Sequence, residues 1–118
     1  MPRLLDQLEE ARRDGALLIS PFVFAELRAY PGMTNVLVCK FLETTGVVVD
    51  LKLEERLWTE AGLRFARYAA RCRKSYGAIP RRLLADFLIG AHALVQADRL
   101  LTLDARVYHQ DFPEIRLL

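Results

Sequence analysis

The sequence predicts an α/β fold built on a mainly parallel sheet. Three observations lead there. Short apolar runs alternate with longer amphipathic stretches along the 118 residues. The runs are apolar at consecutive positions, as in strands covered on both faces. Strand-like and helix-like segments take turns, the order that builds parallel β-α-β units and an α/β/α sandwich. A chain of this length fits one domain, and 1–118 is read as that domain.

The elements follow in order. Residues 4–13 read as a helix with Leu4, Leu5, Leu8 and Ala11 along one side, ended by Asp14-Gly15. Ala16-Leu17-Leu18-Ile19 is the first strand. Ser20 can cap the free N–H groups of the next helix, and Pro21 suits its first position; that helix stops near Pro31-Gly32. Residues 35–42 form a short helix with Val36, Leu37 and Phe41 inward, broken by Gly46. Val47-Val48-Val49 is the second strand. Residues 50–75 form a long amphipathic helix, with Leu53, Leu57, Ala61 and Phe65 spaced by four. Residues 77–80 are a loop, 81–97 a helix apolar nearly all round, and 99–103 the third strand. Residues 104–112 hold a turn with some helix, and 115–118 a last short strand.

Composition narrows the function. Hydrophobic residues make up 53% of the chain, enough for a core, and charged residues 27%, too many for a membrane protein. The opening Met1-Pro2-Arg3 leads into Leu4-Leu5-Asp6-Gln7 with no apolar signal-type run. A soluble, cytoplasmic protein is expected. Cys39 and Cys72 lie far apart and read as reduced, half-buried thiols, with no zinc-type cluster. His92 reads as a packed core histidine and His109 as exposed. Neither stands near a Ser or Cys nucleophile at a triad-like spacing, and no glycine loop for phosphate is present.

Charge is unevenly placed. Between residues 61 and 82 there is no acidic side chain but there are seven basic ones: Arg64, Arg67, Arg71, Arg73, Lys74, Arg81 and Arg82. Such a stretch suits a polyanion such as RNA, or it is a solvated helix face. Trp58, Phe65 and Tyr68 read as core or helix-packing residues, while Tyr68 and Tyr76, interleaved with arginines, are also placed to stack on bases.

Three carboxylates stand where a carboxylate needs a reason. Asp86 is the only acid in an apolar helix, with small residues Gly90 and Ala93 leaving space on its face; a buried carboxylate is costly unless it is paired or bound to metal. Its plain alternative is an ion pair with Arg82. Glu26 sits in the second turn of a helix that follows a strand, at the sheet edge where parallel α/β sites form, or else pairs with Arg28 or Arg3. Asp104 ends the third strand, where it also suits a helix N-cap. Thr102 is placed to support a carboxylate there or is an ordinary strand threonine, and Ser20 supports the Glu26 helix through its cap. Oxygen-only clusters favour Mg²⁺ or Mn²⁺, ions that activate water and neutralise phosphoryl charge.

The segments Ile19-Ser20-Pro21-Phe22-Val23-Phe24-Ala25-Glu26-Leu27, Ala85-Asp86-Phe87-Leu88-Ile89-Gly90-Ala91-His92-Ala93 and Leu100-Leu101-Thr102-Leu103-Asp104, with the ending from Tyr108 through Phe112-Pro113 to Leu117-Leu118, carry a resemblance. The chain resembles the PIN domains of bacterial type II toxin–antitoxin systems, the VapC-like ribonucleases. The resemblance implies a three-layer α/β/α sandwich and a divalent-metal endoribonuclease in which Glu26, Asp86 and Asp104 match the second, third and fourth members of an acidic quartet. It further implies Mg²⁺ or Mn²⁺, an RNA substrate, a cognate VapB-like antitoxin and a homodimer. The family's first strand, normally central and carrying an Asp in an Asp-Thr-Asn-like motif, has no counterpart here. The sequence therefore reads as an N-terminally truncated domain whose flanking strand edges are exposed. The competing function is a PIN-like binding module that holds antitoxin or RNA and cuts nothing.

Overall fold

The computed structural model of the chain describes residues 2–76, 82–102 and 105–117, giving only the backbone for residues 2–5 and 76. The expected loop at 77–80, Arg81 and Asp104 lie outside the described residues, as do Leu103 and Leu118. The protein is mixed α/β and mostly helical, with small parallel sheets. It divides into two compact units, Met1–Leu51 and Lys52–Leu118.

The first unit holds α1 (Pro2–Asp14), β1 (Leu17–Ile19), α2 (Pro21–Ala29), α3 (Asn35–Thr45) and β2 (Val47–Val49). β1 and β2 pair in parallel, with Leu17 opposite Val47 and Ile19 opposite Val49. Two strands can run parallel only if the chain crosses back between them, and α2 and α3 make that crossover. The Asp50 N–H donates to the Ile19 carbonyl at 2.8 Å and carries the ladder one residue further. That bond explains a difference from expectation. Asp50 is held beside the sheet, residues 51–54 are neither helix nor strand, and the long helix begins only at Glu55, with Leu53 outside it and exposed.

The strands were expected to be covered on both faces. Instead Leu18 and Val48, paired in register on one face, stay 40% and 55% exposed. The opposite face, with Leu17, Ile19, Val47 and Val49, is half-buried. The α3 helix also differs in phase. Thr34 caps it, its hydroxyl accepting the Leu37 N–H at 3.2 Å. From that start Val38, Leu42 and Thr45, at i, i+4 and i+7, turn inward, while Val36, Leu37 and Phe41 face out, Val36 being 73% exposed. Gly46 ends α3 in the left-handed region at φ 71°, and the Arg12 guanidinium lies where a Cβ would stand.

The second unit holds α4 (Glu55–Tyr76), α5 (Leu84–Gln96), β3 (Arg99–Leu100), α6 (Arg106–Asp111) and β4 (Arg116–Leu117), with β3 and β4 parallel. α4 packs along α5. Phe87 is the hub, fully buried, with the rings of Phe65, Tyr68 and Phe112 at 5.2, 5.5 and 5.9 Å. Such ring pairs are worth about 0.5–1.5 kcal/mol each beyond area burial. Gly90 was expected to leave room beside Asp86. It is instead the seat of Phe112, whose ring atoms come within 2.5–2.8 Å of where a Cβ would be. Trp58, expected as a core or helix-packing residue, is outside the core at 46% exposed, because its position on α4 lies beside the inward stripe of Leu57 and Ala61 rather than on it. Cys39 is exposed rather than half-buried, because it follows Val38 on the outer side of α3. Among the described residues no helix is long and apolar enough to cross a membrane.

Candidate functional site

Glu26 is placed by its helix. Ser20, buried, caps α2 by accepting the Val23 N–H at 3.2 Å, and Pro21 fills the first helical position. Glu26 then falls in the second turn, exposed, on the helix that leaves the C-terminal end of β1. Its expected counter-ion, Arg28, is engaged elsewhere: Nε donates to Asn35 Oδ1 at 2.6 Å and one terminal nitrogen to the Met33 carbonyl at 2.9 Å. Among the described side chains Glu26 has no ion pair.

Asp86 opens α5, in the first turn, and is half-buried. Its Oδ2 accepts the Leu83 N–H at 3.1 Å, which satisfies one donor that the helix start leaves without a partner. The alternative expectation, an ion pair with Arg82, is not among the described ion pairs. The Arg82 backbone N–H instead donates to the Tyr68 hydroxyl at 3.1 Å. Thr102 is half-buried just after β3. Asp104 lies outside the described residues. Glu26 belongs to the first unit and Asp86 to the second. Among the described residues, neither unit by itself gathers three metal-ligating side chains.

The basic stretch separates into two kinds of residue. Arg64, with a side chain only 12% exposed, is committed within the fold. It donates through Nε to Glu60 at 2.9 Å, to the Asp111 carbonyl at 2.9 Å, and through both terminal nitrogens to Glu114, and it stacks 4.7 Å from the centre of the Phe112 ring. Hydrogen bonding to Glu114 raises its pKa, and the same contact holds the Glu114 carboxyl below the usual carboxylate range. Arg71 pairs with Asp111 at 2.6 Å and lies over the Tyr68 ring. Arg67, Arg73 and Lys74 are exposed. Tyr68, read from sequence as a core or base-stacking residue, is a half-buried member of the ring cluster.

The Arg64–Glu60–Glu114 and Arg71–Asp111 pairings were not foreseen. Glu60 stands four residues before Arg64, an ordinary helical spacing, but Glu114 and Asp111 are 50 and 40 residues from Arg64 and Arg71, beyond any helical spacing. The signal the sequence offered was the four-residue spacing of Glu60 and Arg64. Comparison of the chain with protein-family models, with characterised proteins and with solved structures gives no match.

Proposed function

We propose that the protein is a divalent-metal-dependent endoribonuclease of the PIN, VapC-like kind, with a three-layer α/β/α architecture and Glu26, Asp86 and Asp104 as its metal-holding carboxylates. One observation carries the reading: the two described members of the trio are accessible carboxylates in the opening turns of α2 and α5, neither neutralised by a described cation. An oxygen-only, negatively charged donor set of this kind fits a hard cation such as Mg²⁺ or Mn²⁺.

When bound, such an ion supplies an activated water and neutralises charge on a phosphoryl group. The chain's own residues do the rest. Glu26, Asp86 and Asp104 hold the ion. Ser20 fixes α2 and so the bearing of Glu26, while the Leu83 N–H bond fixes Asp86. Thr102 stands two residues before Asp104 as its support. Arg67, Arg73 and Lys74 hold the RNA backbone, together with Arg71, Arg82 and Arg81, whereas Arg64 acts through the fold. A VapB-like antitoxin and a second copy of the chain are the partners the reading carries.

The test is RNA cleavage by the purified chain in Mn²⁺, with EDTA and with Asp86→Asn as controls. Cleavage that both controls abolish is the expected result. RNA or antitoxin affinity that survives both changes, with no cleavage at any stage, identifies the binding module instead.

A further inference from the structure

The flank of α4 beside its core stripe carries a cleft. Arg64, Arg67 and Arg71, at i, i+3 and i+7, line one wall, and Gln110, Asp111 and Glu114 line the other, around a volume of about 270 Å³. The two carboxylates are already answered: Glu114 by both terminal nitrogens of Arg64, and Asp111, only 4% exposed, by Arg71. Arg67 is left over. It is exposed, and among the described residues it has no hydrogen-bond or ion-pair partner. Arg71 uses one terminal nitrogen on Asp111, so its other donors are available too.

We infer that this cleft binds a phosphate group, with Arg67 as its principal ligand and Arg71 and the Gln110 amide as its second arm. An arginine fork matches phosphate oxygens with paired N–H donors, and donors arriving from α4 and from α6 suit the several oxygens of a tetrahedral anion better than the two of a flat carboxylate. The ion pairs on either side of Arg67 hold the walls and cancel the charges that would repel an anion. The site stands without the metal-dependent reading; only the identification of the phosphate as part of an RNA backbone rests on it.

The test follows arginine Nε–Hε signals of the ¹⁵N-labelled full chain in EDTA. The probes are inorganic phosphate, a dinucleotide with a single phosphodiester, and acetate at matched ionic strength. Phosphate is expected to shift the Arg67 and Arg71 signals saturably, and Arg67→Gln is expected to weaken that binding roughly tenfold. Saturation by the dinucleotide at the same signals makes RNA the source; saturation by phosphate alone supports the site and makes a free phosphate the source. Acetate binding as tightly as phosphate, no saturable shift, or unchanged affinity in Arg67→Gln overturns the inference. Because EDTA is present throughout, a chain that binds phosphate but never cleaves RNA defeats the nuclease reading alone.

Discussion

Asp86 has one observed role and one proposed role, and substitution can separate them. Its Oδ2 accepts the Leu83 N–H at the start of α5, and in the proposed function its charge holds the metal ion. Asp86→Ala removes both and is expected to destabilise the protein by about 0.5–2 kcal/mol in urea unfolding, the usual range for a lost helix cap. Asp86→Asn keeps an acceptor oxygen, so it is expected to unfold within about 0.5 kcal/mol of wild type while losing cleavage. Glu114 gives a pH prediction. Its folded pKa lies below the unfolded value through hydrogen bonding to Arg64. The stabilisation is therefore complete above the unfolded carboxylate value of about 4.3 and lost as pH falls through the lower folded value. Because the Glu114 side chain is half-exposed, solvent keeps the effect modest. Thermal unfolding midpoints of wild type and Glu114→Gln are expected to differ near neutral pH and to converge in acid. Equal separation at both would contradict the pairing. At this scale the sequence marked Asp86 and Glu26 as candidate site acids, but it could not show that Glu26 is exposed, that one oxygen of Asp86 caps a helix or that Arg64 is tied into the fold, since those facts depend on packing and on partners that the sequence pattern does not name.

The elements were largely legible because each carries its own local signal. Ser20-Pro21 marks the start of α2, and the valine run marks β2. Phase was less legible. In α3 the stripes Val36-Leu37-Phe41 and Val38-Leu42-Thr45 both satisfy a helical spacing, and only packing chooses the second. The start of α4 was misplaced because a backbone bond from Asp50 to β1 overrides the helical pattern there. Gly90 shows the same limit: its neighbour in space, Phe112, is 22 positions away in a different helix's cap. Gly90→Ala would drive a methyl into that ring and is expected to cost about 1–3 kcal/mol. The double variant Gly90→Ala/Phe112→Leu is expected to recover part of that loss, measured by a double-mutant cycle; strict additivity would mean the two do not touch.

Across the whole molecule, the order of helices and strands was readable, and so was the parallel sense of the pairs, because each strand returns only after a helical crossover. The division into two small sheets reflects strand partners, which short apolar runs do not encode. In the proposed function Glu26, Asp86 and Asp104 hold one ion. The most direct test of that proposal is the Mn²⁺ affinity of the intact chain, measured calorimetrically for wild type and for Glu26→Gln, Asp86→Asn and Asp104→Asn singly. The account predicts that each substitution weakens binding by roughly tenfold or more. An affinity untouched by Glu26→Gln would contradict it, since the carboxylates of the two units would then not share an ion.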